Sequence, residues 1–154
     1  MIHLNNYGWN DKLSQLKQES TYNALTHGRI SIVHRTCYEV VSENGLFQCE
    51  LMGNMMYGKS DIELPCTGDW VLFQPFDEHK GIIVDMLPRE RTLYRKKNGT
   101  VADKQAITSY VDKAFIVQSL DDNFNVRRAE RFMVQMQEEL SLIHISEPTR
   151  RSYI

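Results

Sequence analysis

The run Gly68-Asp69-Trp70-Val71, followed by Gly81-Ile82-Ile83 and Leu87-Pro88-Arg89, constrains this chain more than any other feature. A glycine just ahead of an aromatic and β-branched stretch marks a tight turn that feeds a strand. Gly68 is expected to permit that turn and Asp69 to accept backbone hydrogen bonds within it, both in structural roles. Trp70 then opens the strand as a core residue. Punctuation of this kind, repeated at short intervals, predicts short strands joined by compact turns and closed into a small barrel.

The flanking segments extend the pattern. From Gly28 the apolar period is two: GRISIVHRT and CYEVVS read as strand, and Asn44-Gly45 reads as a hairpin turn because both residues tolerate positive φ. LFQCELMG returns, with Phe47 and Cys49 alternating against Gln48 and Glu50. Residues 54–65 read as a loop holding Gly58-Lys59-Ser60. DWVLFQPF and GIIVDMLP are the next two strands, separated by a turn over 77–80. At least four short antiparallel strands result. Ahead of them, residues 9–24 predict a short helix capped by Asn10 or Asp11, with Leu13, Leu16 and Leu25 on a weak apolar face.

After the barrel the character changes. Residues 98–110 are polar and read as a linker. Ala114–Val117 is a continuous apolar run, which predicts a strand buried on both faces, as in a parallel sheet. Residues 121–125 form a turn with a candidate Asn125 cap. A helix over 127–140 follows, with Ala129, Phe132, Met133, Met136 and Leu140 on one stripe. A buried strand and an amphipathic helix open an α/β domain. The fold class is therefore mainly β: residues 1–27 as an extension, a small closed or nearly closed barrel over 28–97, a linker, and an incomplete α/β domain over 111–140. Residues 141–154, SLIHISEPTRRSYI, fit neither part and read as a tail foreign to the domain.

Composition excludes several functions. Three cysteines without CxxC spacing, and five histidines without an HxH or HExxH arrangement, offer no metal site and no catalytic dyad. No apolar run approaches the ~20 residues that cross a bilayer, and the N-terminus has no signal-peptide core, so a cytoplasmic location is expected. The net charge of −2 is uninformative, but five basic residues and one acidic residue fall between Arg89 and Lys97.

From Gly28 to about Leu140 the chain resembles the ribosome small-subunit-dependent GTPases, a circularly permuted GTPase family. The likeness is carried by Gly28-Arg29-Ile30, Pro65-Cys66-Thr67-Gly68-Asp69-Trp70-Val71, Leu87-Pro88-Arg89, Leu93-Tyr94-Arg95, Val111-Asp112, Phe115 to Leu120 and Phe124 to Arg128, in collinear order. The resemblance implies an OB-fold barrel, a permuted GTPase domain and a zinc-binding domain, with GTP, Mg2+ and Zn2+ as cofactors of the complete relative. It implies the small ribosomal subunit and its rRNA as partners, no membrane, and a monomer when complete. This chain holds no Asn-Lys-x-Asp sequence; Gly53 to Ser60 has GxxxxGK[ST] spacing, but Gly58-Lys59-Ser60 lies in the barrel segment and is not expected to be the phosphate loop of the family's GTPase domain. Its own residues are expected to bind no GTP, cofactor or metal and to catalyse nothing. One departure is Tyr110, where the family commonly carries asparagine.

With that context, Arg29, Arg35, Lys59, Arg89, Arg91, Arg95, Lys96 and Lys97 are candidate contacts to RNA phosphates. The bland alternative is that Arg89 braces a joint and the others are merely solvated. Tyr57, Phe76 and Tyr94 are candidate stacking residues, or covers for the barrel. The stripe on the 127–140 helix is expected to favour self-association if nothing covers it. Two further readings stay open: a stand-alone RNA-binding barrel without nucleotide chemistry, and a protein-binding barrel with no RNA role.

Overall fold

A computed structural model describes residues 1–56, 60–96, 104–118 and 125–139. The chain divides into two compact units, Met1–Val111 and Asp112–Ile154.

The first unit is built on five strands: β1 (Thr26–Val33), β2 (Tyr38–Ser42), β3 (Gly45–Leu51), β4 (Trp70–Asp77) and β5 (Lys80–Met86). They close into a barrel in the order β1-β2-β3-β5-β4, with β4 pairing back onto β1. The all-antiparallel expectation fails at one place, because β3 and β5 run parallel. The chain path dictates it: after β3, a long connection lets β4 enter in the opposite sense, and the tight β4–β5 hairpin reverses direction once more. A short helix, α2 (Gly53–Met56), starts that connection, where a loop is expected from residue 54. The β2–β3 turn is displaced by one residue from its expected place. Ser42 pairs with Gly45, so Glu43 and Asn44 form the turn, and the positive φ of 125° falls on Gly45 alone.

β3 follows its alternation: Phe47 and Cys49 are buried between exposed neighbours. β4 breaks alternation, since Trp70, Val71, Leu72 and Phe73 are all fully buried. Val71 and Phe73 face the barrel interior with Ile30, Val40, Phe47 and Ile83, the Phe47 and Phe73 rings lying 5.2 Å apart. Trp70 and Leu72 point outward into a second core with Val41, Leu87, Leu4 and Leu13. Each such side chain contributes about 1.5–3 kcal/mol on burial.

The N-terminal extension supplies that outer cover. A 3-10 turn over Leu4–Tyr7 inserts Leu4, and helix α1 (Asp11–Glu19) inserts Leu13. Asn10 is the cap, its Oδ1 accepting the Leu13 amide at 3.0 Å. The helix ends five residues short of the expected boundary, and Leu25 packs from the following loop. Trp9 meets Trp70 edge-on at 4.9 Å.

Two strands follow the barrel, β6 (Leu93–Lys96) and β7 (Lys104–Thr108), paired antiparallel in a sheet of their own. β6 thus lies outside the barrel that the sequence extends to residue 97, and β7 occupies part of the expected linker. Their polar composition hides them, because a two-stranded ribbon with little apolar content shows no buried face to a periodicity argument.

In the second unit, helix α3 (Val126–Glu139) is capped by Asn125, whose Oδ1 accepts the Arg128 amide at 3.0 Å. Ala129, Met133 and Met136 are half-buried, while Phe132 and Val134 are exposed. The strand expected at Ala114–Val117 does not form. Those residues have no strand pairing, and Phe115 and Val117 are 83% and 89% exposed. A doubly buried strand needs strands beside it and layers over it; among the described residues of this unit there is no other strand. The tail, 141–154, lies outside the described residues, as does Leu140.

Candidate nucleic-acid interface

The turn ahead of β4 is where the later ribbon is fastened to the barrel. Gly68 has φ of 93°, and a Cβ there would sit 2.3 Å from the carbonyl oxygen of Ser109. Only glycine satisfies both the conformation and the approach. Asp69, fully buried, accepts the Cys66 amide at 2.8 Å and the Ser109 hydroxyl at 2.5 Å. It also takes a forked pair from Arg89, with Nε at 2.9 and 3.0 Å and Nη2 at 2.6 Å. The remaining Arg89 donors reach the carbonyls of Ile62 and Leu64. One carboxylate therefore ties together the 62–66 segment, the barrel entry and the root of the β6–β7 ribbon. A Thr67–Thr108 bridge and the Ser109 amide, donated to the Thr67 carbonyl at 3.0 Å, complete the joint. Burial works against the Arg89 charge, but the bonds and charge of Asp69 outweigh it and hold the guanidinium above its ordinary value. Burial, with Asp69 second, pushes the Cys66 thiol up to about 12, so it stays neutral beside the pair.

Arg29 and Arg89, both expected to meet RNA phosphates, are thus spent inside the fold. Arg29 donates to the carbonyls of Tyr7, Gly68 and Tyr110, and its guanidinium lies 5.8 Å from the Trp70 ring centroid. Arg89 keeps a side chain only 11% exposed. A basic run in sequence does not separate a cation with a buried carboxylate partner from one without.

The other candidates lie elsewhere. Arg35 is exposed in the loop between β1 and β2. Arg91 is exposed at the root of the ribbon with φ of 44°, its Nε donated to the Val111 carbonyl at 3.2 Å and its Nη1 3.8 Å from Glu90. Arg95 is exposed on β6, donating to Gln105 across the ribbon at 2.9 Å. Lys96 pairs in register with Lys104, an exposed cation absent from the sequence expectations. Only strand register reveals Lys104, since it stands eight positions beyond Lys96 in the chain. Tyr94 is half-buried on β6, and Phe76 is exposed on β4. Tyr57, Lys59 and Lys97 lie outside the described residues, and of Lys96 only the backbone is described.

Tyr110, at φ of 53°, closes the ribbon in the left-handed region that asparagine enters more readily than a bulky ring. That conformation explains why asparagine suits this position. Tyrosine compensates by burying its ring in the outer core and donating its hydroxyl to the Pro88 carbonyl. Burial, then Glu90 and Asp69, push that hydroxyl up to about 12, which keeps it a donor.

Among the described residues, no group of three His, Cys, Asp or Glu side chains could hold a metal ion, and no helix is long and apolar enough to cross a membrane.

A family model for the RsgA GTPase matches residues 86–146. The small ribosomal subunit biogenesis GTPase RsgA 1 of Bacteroides thetaiotaomicron is 69% identical over 137 residues, 89% of this chain and 39% of that protein. The chain belongs to the RsgA GTPase family. The corresponding RsgA 1 protein of Oceanobacillus iheyensis is 33% identical over 119 residues, 76% of this chain and 34% of the relative. The crystal structure of YjeQ from Thermotoga maritima matches with a TM-score of 0.50 at 19% identity, covering 75% of this chain and 38% of that one. That likeness concerns the fold alone. The chain thus spans well under half the length of these RsgA relatives.

Proposed function

We propose that this chain is the RNA-contacting, N-terminal part of an RsgA GTPase that acts in biogenesis of the small ribosomal subunit. GTP hydrolysis, with GTP and Mg2+, and a zinc-binding domain belong to the complete protein in this reading; no residue of the chain as given is assigned to them. The observation that supports an RNA role is the β6–β7 ribbon. Arg95, Lys96 and Lys104 share its far half in register, while the Asp69–Arg89 joint fixes its root. Arg95 and Lys104 are exposed there, and cationic side chains gain affinity for a phosphate backbone by releasing its counterions. Arg35 and Arg91 add exposed charge outside the ribbon strands.

The reading is tested by titrating small-subunit rRNA against the chain at several salt concentrations. Arg95→Gln and Lys104→Gln are each expected to weaken binding across RNA sequences and to lower the log–log salt slope by about 1. Unchanged slopes in both variants, with unchanged melting, would remove the ribbon as a contact.

A further inference from the structure

We propose that the outer barrel face formed by β3, β5 and the end of β4 docks a basic protein segment. β4 changes character along its length: Trp70 and Leu72 are covered by the N-terminal extension, whereas Gln74 and Phe76 are exposed. Phe76 is 62% exposed, and Leu46 and Ile82 stand out at 50% and 38%. Register makes these neighbours on one surface. Ile82 lies between Glu50 on β3 and Gln74 on β4, and Lys80 lies between Gln48 and Asp77. Leu46 stands two residues before Gln48 on the same face of β3.

The charge around these apolar groups is acidic. Glu50, Asp77 and Glu78 are exposed, against Lys80 alone among the exposed Lys and Arg residues of β3, β4, β5 and the β4–β5 turn. Asp77 also accepts the Glu78 amide at 2.8 Å, which fixes its carboxylate at the tip. Such a surface repels phosphates, so the stacking role considered for Phe76 has no electrostatic support. It complements a segment rich in lysine or arginine that brings an apolar group to Phe76. Closure of the barrel leaves β3 and β5 paired on both sides, so the partner is held by side chains and not by strand addition. The inference rests on the small-subunit reading for where the partner resides: on a particle of rRNA and protein, an acidic face is left with the protein.

The test compares binding of the full chain to intact small ribosomal subunits and to the same rRNA stripped of protein. Phe76→Ala is expected to weaken subunit binding about tenfold or more, as loss of an aromatic anchor does, and to leave rRNA binding unchanged. Glu50→Lys with Asp77→Lys is expected to weaken subunit binding while holding rRNA equally or more tightly. Because these side chains are exposed, melting temperatures should stay close to wild type. Subunit binding equal to wild type in both variants overturns the docking surface alone. Parallel loss of rRNA binding in Phe76→Ala makes the face an RNA contact and overturns it too. A wild-type chain that binds neither subunit nor rRNA overturns the small-subunit reading and this inference with it.

Discussion

Trp70–Phe73 and Ala114–Val117 are two apolar runs of four residues, and they meet opposite surroundings. All four side chains of the first are fully buried, whereas Phe115 and Val117 of the second are more than four-fifths exposed. Composition does not separate them. β4 has β1 on one side and β5 on the other, with the barrel interior beneath it and the N-terminal extension above. Ala114–Val117 has no strand partner among the described residues. Four consecutive apolar residues thus specify the demand for two covered faces, and the covers come from other parts of a chain.

Truncation tests this contrast most severely. Phe73→Ala should cost about 3–5 kcal/mol, the usual loss for an aromatic removed from a packed core. Phe115→Ala should stay within about 0.5 kcal/mol, as for exposed positions. Urea unfolding reads both, followed by tryptophan fluorescence for the first unit, where Trp9 and Trp70 lie, and by far-ultraviolet circular dichroism for the helix of the second. A large loss for Phe115→Ala would mean that its ring is packed in solution, and the contrast between the two runs would fall.

The joint at Asp69 sharpens the comparison by extending the buried side of it. Ser109→Ala removes one hydroxyl bond to a buried carboxylate, worth about 1.5–3 kcal/mol. Its effect should appear first as faster amide exchange in β7, the strand that Ser109 follows, with β3 and β5 protected as before. Equal loosening of ribbon and barrel would show that the joint holds the whole unit and not the ribbon specifically.

What could be read from the residues alone follows from the same contrast. The alternation of Phe47 and Cys49, the Asn10 and Asn125 caps and the Gly68 turn depend on neighbours a few positions away, and local pattern carries them. The parallel β3–β5 closure depends on a connection of eighteen residues reversing the chain, for which no local rule exists. Arg89 and Arg95 sit in one basic run, yet one is locked to a carboxylate twenty positions earlier and the other meets Gln105 across a ribbon. Lys104 was hidden because its relation to Lys96 is a matter of register. In each case the missing information is a long-range partner, the same thing that separates Trp70 from Phe115.

The cover over Trp70 can also be loosened by protons, with the smallest expected effect. His27 stacks on Trp9 at 4.0 Å, and its Nδ1 lies 3.1 Å from the Lys17 ammonium of α1. Burial first, then the Lys17 charge, hold the imidazole below its ordinary value of 6.5, with Glu43 opposing. The unfolded chain therefore takes up this proton before the folded one does. The contribution of a neutral His27 is complete above about pH 6.5 and is lost as the pH falls below it. Protonation would set a second cation against Lys17, so the α1 cover should be the part that loosens. Urea midpoints measured from pH 7.5 to 5 should decline more steeply for wild type than for His27→Gln, which cannot take up the proton. Equal slopes would show that His27 titrates alike in both states, and the Trp9–His27–Lys17 contact would then be too loose to shield Trp70 as the structure indicates.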